Sequence, residues 1–235
     1  VPKGSAKRSF ATWTTDWRKG MADIYDANCV ACPRLADFLV DVREKYPDYH
    51  GLPVPPFGVA NARLLVVGLA PGMHGANASG RAFTGDHAGI LLYQTLHKYG
   101  LASRPESISA DDGLQLIDAR ITNAVKCLPP QNKPVGAEVN NCNRFLANEL
   151  ATVPDGGVLI ALGGIAHKAI IRALGLRQAD FKLAHEAVHA LSDTLTMVDS
   201  YHCSRYNTNT GRLTTPMFEA EIERAAKLAR AGNYR

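Results

Sequence analysis

A glycine-rich segment, residues 68–89, constrains the fold of this chain more than any other feature. It holds six glycines and one proline in 22 residues. The apolar run before it, residues 63–67, predicts a buried strand, and residues 90–99 predict a helix. Glycine-rich loops between a strand and the following helix are where α/β proteins bind ligands, because the backbone can approach the ligand closely. The sequence therefore predicts a binding site at this loop.

Three more apolar runs have the length and composition of buried strands, at residues 119–125, 157–162 and 194–198. Proline-rich segments at 50–59 and 128–136 predict loops. Helices are predicted at 23–42 (interrupted near 29–33), 138–151, 165–174 and 215–231. Strands that alternate with helices indicate an α/β fold with a mostly parallel sheet covered on both faces.

Length and composition favour one domain with an appended segment. The chain has 235 residues, 46% of them apolar, which is enough for one core. Residues 1–20 predict a flexible basic N-terminal arm, and residues 21–235 predict the domain. The sequence has no run of 18 apolar residues and no signal-peptide pattern, so we expect a cytoplasmic protein without a membrane partner. We also expect a monomer. The net charge of +4 permits nucleic acid as a partner without requiring it.

The cysteines suggest a metal site. Cytoplasmic proteins seldom keep disulfides, so metal binding is the better interpretation of several cysteines. Cys29 and Cys32 form a C-x2-C pair, and with Cys127 and Cys142 they suit either zinc or an iron–sulfur cluster. Buried free thiols, which behave as small apolar side chains, are the alternative.

Four separated motifs together resemble the signatures of uracil-DNA glycosylases. They are the glycine-rich loop 68–89, Ile-Thr-Asn-Ala-Val-Lys-Cys at 121–127, His-Cys-Ser at 202–204 and Asn-Thr-Asn-Thr-Gly-Arg-Leu-Thr at 207–214. The resemblance is to the iron–sulfur, family-5 (type b) branch and covers residues 23–218. It implies a three-layer α/β/α fold around a central four-stranded, mostly parallel sheet. It also implies a DNA repair enzyme that flips uracil, and other deaminated bases such as hypoxanthine and xanthine, out of double-stranded DNA. Hydrolysis of the N-glycosidic bond would leave an abasic site.

The resemblance assigns roles to several motif residues. Phe83 would stack on the flipped base and Asn123 would bind its edge, although the residues alone also allow a core aromatic and a turn asparagine. His202 would donate a hydrogen bond to the leaving base as a neutral imidazole. The backbone would approach the base at Gly68, Ala70 and Gly72.

Further roles concern the attacking water and the DNA strand. Asn77 would position the water, while Asp86 is predicted as the N-cap of the following helix and is the next candidate. Arg205 and Tyr206 would enter the minor groove. Arg212, Lys126, Lys133 and Arg144 are candidates for phosphate contacts, with a solvated surface charge as the alternative for each of them.

The same resemblance implies a structural [4Fe-4S] cluster held by Cys29, Cys32, Cys127 and Cys142. The chain departs from the usual His-Pro-Ser motif at Cys203, which leaves one backbone dihedral less restricted.

Other interpretations of the residues stay open. Ala70 stands where the type a branch has a glutamate, and the missing carboxylate keeps a non-catalytic, metal-stabilised nucleic-acid-binding module possible. An iron–sulfur redox protein is a further alternative, although the sequence holds no second cofactor motif. Cys203 beside His202 would suit a Cys-His nucleophilic pair, but sequence neighbours usually point apart, so that interpretation has little weight.

Overall fold

The computed structural model describes residues 24–232, so the predicted arm at 1–20 lies outside the described residues. One mixed sheet forms the centre of the molecule, with strand order β1-β3-β2-β4-β6-β5. The strands are β1 (Phe57–Gly58), β2 (Leu64–Gly68), β3 (Ala119–Asn123), β4 (Gly157–Leu162), β5 (Val188–Ala190) and β6 (Leu195–Ser200).

The four central strands are parallel to one another, which confirms the predicted parallel core. Strands β2, β3 and β4 are buried along their whole length, as expected for strands covered on both faces. The two outer strands, β1 and β5, pair antiparallel with their neighbours and enlarge the sheet to six strands. They are two and three residues long and partly exposed, so no apolar run predicted them.

Helices cover both faces of the sheet and complete the three layers. They are α1 (Pro33–Lys45), α2 (Ala76–Ser79), α3 (His87–Lys98), α4 (Gly136–Leu150), α5 (Gly164–Ala173), α6 (Arg205–Asn209) and α7 (Thr215–Ala231). Side chains alternate along β2: Leu64 and Val66 pack with α3 and α7, and Leu65 and Val67 pack with α4 and α5. The predicted helices are therefore confirmed in outline.

The first helix differs from its prediction. Within the described residues it begins at Pro33, and Cys29 and Cys32 lie in the turns before it. Proline suits the first helical position because its missing N–H has no intrahelical partner there. Buried Leu35, Leu39 and Val42 pack α1 against a third apolar cluster that includes Cys127 and Cys142. No described helix is long and apolar enough to cross a membrane.

Candidate active site

The carboxyl ends of the parallel strands bring the predicted motifs together. Gly68 ends β2 and is paired with Asn123 at the end of β3, while Leu162 of β4 is paired with Ser200 of β6. The glycine-rich loop follows β2, and His202 lies two residues beyond β6. Since ligands bind at this edge of open α/β sheets, the topology places the candidate site here.

The side chains of Asn123 and Phe83 both pack closely against Gly68. A Cβ added to it would lie 2.4 Å from Asn123 Oδ1 and 2.6 Å from Phe83 Cζ. Both distances are shorter than van der Waals contact, so only glycine permits this packing. The carboxamide of Asn123 and the ring of Phe83 therefore lie against the same backbone atom.

Phe83 is held in an unusual conformation. Its φ is 57°, in the left-handed region, and a Cβ on Gly89 would lie 1.7 Å from its carbonyl oxygen. A bulky residue there indicates that the surroundings fix the backbone. The ring is 6% exposed, packs in the main apolar core and lies nearly parallel to the His202 ring, with centroids 6.0 Å apart. The structure shows Phe83 as a core aromatic, and its role as a platform for the base stays a prediction.

His202 has an anchored backbone and is half-buried as a residue. Asn207 Nδ2 donates to its carbonyl oxygen at 2.8 Å. Burial lowers the pKa of His202, and the charge of the nearby Asp86 carboxylate opposes that shift. The imidazole is therefore neutral near pH 7 and can donate one N–H.

The Cys203 side chain packs in the main apolar core. Its side chain is fully buried, and its Sγ lies 3.5 Å from the carbonyl oxygen of Ala88. Burial raises the pKa of the thiol, so it stays protonated. A Cys-His nucleophilic pair is excluded, and the thiol fills apolar space in the main core.

The predicted catalytic residues share an electrostatic feature. Asn77 Oδ1, Asn123 Oδ1 and His202 Nδ1 are each buried and have no hydrogen-bond partner within residues 24–232. Buried polar atoms are normally paired, so unpaired ones need an explanation such as a ligand. Together the three residues offer a ligand both donors and acceptors.

A cleft of about 460 Å³ opens at this edge of the sheet. Its lining includes Ala70, Gly72, Asp86, His202 and Arg205. Phe83, Asn123 and Asn77 are not among its lining residues. Phe83 lines a neighbouring groove instead, and Asn123 lies against Gly68 at the end of β2.

Asp86 has two environments, one for each oxygen. Oδ1 accepts a hydrogen bond from Gly89 N at 2.8 Å, which confirms the predicted N-cap of α3. Oδ2 faces the glycine-rich loop, 2.8 Å from the position of a Cβ on Gly75. Asn77, by contrast, donates from Nδ2 to the Met73 carbonyl at 3.4 Å. The carboxylate that lines the cleft is thus Asp86.

The predicted DNA contacts divide into exposed and buried side chains. Arg205 and Tyr206 are exposed at the start of α6, which Ser204 caps by accepting from Asn207 N. The Arg212 guanidinium lies 4.5 Å from the centre of the Tyr201 ring. Lys133 and Arg144 are exposed as well.

The predicted phosphate contact of Lys126 is wrong. Its ammonium group is buried and donates to Thr122 Oγ1 and to the buried carboxylate of Glu149. A buried ammonium group requires such a partner. Lys126 therefore binds β3 to α4 inside the molecule.

The sequence analysis also missed a buried network on β6. The Asp199 carboxylate accepts hydrogen bonds from His167 at 2.8 Å and from His189 at 2.9 Å. These residues lie in three separate elements, and single histidines gave no signal for them. The network fixes β6 three residues before His202.

Cys29, Cys32, Cys127 and Cys142 line one small cavity beneath α1 and α4. Burial, followed by the charges of the other three cysteines, raises the pKa of Cys127 to about 12. Bound metal would favour the thiolates, since a coordinating thiol is deprotonated. The donor set thus fits a thiolate-ligated metal centre.

Polar groups contact three of the four sulfurs. Lys126 N donates to Cys142 Sγ at 3.3 Å, Asn141 Nδ2 to Cys32 Sγ at 3.6 Å and Arg144 Nη2 to Cys29 Sγ at 3.8 Å. Arg34, two residues after Cys32, forms a bidentate ion pair with Glu138 at 2.7 and 2.8 Å. These contacts join the segments that carry the cysteines.

Comparisons with known proteins agree with this geometry. The model of the uracil DNA glycosylase superfamily matches residues 55–227. The chain is 43% identical to the type-5 uracil-DNA glycosylase of Thermus thermophilus over 206 residues, which covers 86% of this chain and 94% of that protein. It is 44% identical to the type-5 enzyme of Pyrobaculum aerophilum over 203 residues, 85% and 88% of the two chains. The type-4 uracil-DNA glycosylase of Archaeoglobus fulgidus is 33% identical over 124 residues, 52% and 54% of the two chains.

Proposed function

Because this chain belongs to the uracil-DNA glycosylase superfamily, we propose that it excises uracil from DNA by hydrolysing the N-glycosidic bond, as a step of DNA repair. One observation carries the assignment to this site: the three unpaired buried atoms of Asn77, Asn123 and His202. A non-catalytic binding module is not favoured, because the similar proteins are named as glycosylases.

The site supplies what the departing base needs. As the glycosidic bond breaks, negative charge develops on the base and positive charge on the sugar. Neutral His202 donates an N–H to the base oxygen, where negative charge grows. The Asn123 carboxamide offers a donor and an acceptor to the base edge, and the Phe83 ring supports the base face.

Asp86 is the acidic residue that lines the cleft. We assign it the role of stabilising the sugar, which becomes cation-like as the bond breaks. Its negative charge favours the positive charge that develops there. Asn77 has no basic group, so it can orient a water through Oδ1 but cannot remove a proton from it. Ala70 contributes no side-chain chemistry to either task.

We propose a wider base range that includes hypoxanthine and xanthine. A cleft of about 460 Å³ is within the size range of small-ligand sites and can admit a purine as well as a pyrimidine. A carboxamide can also present a donor and an acceptor to a purine edge. Duplexes that carry one uracil, hypoxanthine or xanthine test this range directly.

We propose that the four cysteines hold a [4Fe-4S] cluster. A single tetrahedral zinc, about 2.3 Å from each sulfur, would draw the sulfurs to within about 3.8 Å of one another. Within residues 24–232, no three of the cysteine sulfurs all lie within 4.8 Å of one another. This spacing favours a cluster over one ion. The cluster would stabilise the fold by joining the turn before α1 to β3 and α4.

The decisive experiment incubates cluster-loaded protein with duplex DNA that carries one uracil. Formation of alkali-labile abasic sites is the expected result, and the His202→Ala variant should form them far more slowly. Intact DNA after prolonged incubation with the wild-type protein would contradict the proposal. Binding without product would support the non-catalytic module instead.

A further inference from the structure

A second groove, of about 480 Å³, lies beside the base cleft. Asp86, His87 and Arg205 line both, so the two share a wall. The rest of the groove is formed mainly by residues of α3 and by the loop at 105–108. Phe83 and Gly85 of the glycine-rich loop also line it, so the groove adjoins the predicted base platform.

The groove presents two large apolar side chains to solvent. Ile90 of α3 is 58% exposed, and Ile108 of the loop is 73% exposed. Exposed apolar residues that lie together beside a binding site indicate a ligand-binding surface. Apolar side chains are also among those that pack against the flat faces of unstacked bases.

The loop that carries Ile108 is held firmly in place. The buried guanidinium of Arg81 donates to Asp112 Oδ1 at 2.7 Å and to Ser107 Oγ at 3.1 Å. Asp112 Oδ2 accepts a hydrogen bond from Ile108 N at 2.8 Å. Because Arg81 belongs to the glycine-rich loop, these contacts fix the groove relative to the base cleft.

The shared wall carries one cation, Arg205, beside the carboxylate of Asp86. Arg205 is exposed there and can pair with a phosphate. His87 Nε2 lies 2.9 Å from Thr208 Oγ1, which joins α3 to α6 beneath that wall. Of the two carboxylates that line the groove, Asp86 is half-buried and Glu106, on the loop at 105–108, is exposed.

We propose that this groove holds the nucleotide adjacent to the flipped one on the same DNA strand. The inference rests on the proposed function, since it needs a flipped nucleotide in the cleft. The strand must leave the cleft over its rim, and the groove continues from the wall at Asp86, His87 and Arg205. The neighbouring base then lies against Ile90 and Ile108, and the linking phosphate meets Arg205.

The test compares Ile108→Asp with Ile117→Asp, whose position is similarly exposed (52%) but lies outside the groove. Three duplex substrates carry uracil inside the strand, at its 5′ end or at its 3′ end. We expect Ile108→Asp to lower kcat/KM about tenfold on the internal uracil, mainly through KM, and Ile117→Asp to match wild type. Ile108→Leu, which keeps the apolar face, should also match wild type.

The position of the missing neighbour decides the outcome. On one of the two terminal substrates the effect of Ile108→Asp should shrink to within about twofold, because the groove then has no nucleotide to hold. Equal losses on all three substrates would overturn the inference and indicate another partner for the groove or a structural role. Equal kcat/KM values for Ile108→Asp and Ile117→Asp on the internal uracil would also overturn it. Failure of wild type on every substrate would contradict the proposed function itself.

Discussion

The ring of Phe83 lies 6.0 Å from that of His202, and the two planes are inclined by 24°. Phe83 approaches from the loop after β2, and His202 from the segment after β6. Their proximity means that the base platform and the hydrogen-bond donor are set in one packed unit. A change in either ring should therefore alter the position of the other.

Replacement of His202 by asparagine should slow uracil release about 100- to 1,000-fold, the usual cost of losing one donor to a developing anion. The reason is that the asparagine amide cannot reach the same position as the imidazole N–H. Single-turnover kinetics with a uracil duplex measures the chemical step. His97→Asn is the matched control, since His97 lies on α3 and bonds the Ala102 carbonyl. Equal rates in the two variants would remove His202 from the reaction.

Gly68→Ala should abolish most activity while the protein still folds. The added Cβ would lie 2.4 Å from Asn123 Oδ1 and 2.6 Å from the Phe83 ring, so both groups must shift. Because base-binding groups need accurate placement, we expect at least a tenfold fall in kcat/KM. Gly136→Ala is the control, since no atom lies within 4 Å of its added Cβ. Wild-type kinetics for Gly68→Ala would show that the base binds elsewhere.

The central strands could be predicted because each is a short apolar run buried on both faces, as β2 and β4 are. The edge strands could not, since β1 and β5 are short and their pairing depends on a neighbour distant in sequence. The N-cap at Asp86 was predictable because capping is local.

Long-range burial explains what the sequence concealed in the site. A lysine in a loop after a strand is a reasonable candidate for a phosphate contact, but Lys126 is bound inside the protein by Glu149, 23 residues away. Asp199 gave no signal because its partners, His167 and His189, approach from other elements. Charge that is paired across the fold leaves no local pattern.

Asp86→Asn separates the two roles of this residue. Asparagine caps helices about as well as aspartate, so the midpoint of thermal unfolding should change little. The negative charge facing the cleft is lost, and we expect the single-turnover rate to fall at least tenfold. Asn77→Ala, measured in parallel, tests the orientation of water without changing any charge. A fully active Asp86→Asn would assign the carboxylate to helix capping alone.

The cysteine site should yield a brown protein with a broad absorption near 400 nm, about four irons and about four sulfides per chain. Cys142→Ser should lose the colour and lower the unfolding midpoint, since one ligand that joins α4 to the site is gone. Cys203→Ser is the control, because Cys203 lies in the main core away from the four ligands. A colourless wild-type protein that contains zinc would overturn the cluster assignment.

The pH dependence of the chemical step should report the neutral form of His202. Burial disfavours the charged imidazole, so the pKa lies below the ordinary value of about 6.5. The single-turnover rate should then be constant at alkaline pH and fall with a midpoint below about pH 6.5, as the ring becomes protonated. In Asp86→Asn the fall should begin at still lower pH, because the carboxylate charge that opposes the shift is absent. Histidine NMR, with His202→Asn to assign the signal, measures the same titration directly. A titration midpoint well above pH 7 would mean that the imidazole is charged near neutral pH, contrary to the role of a neutral donor assigned here.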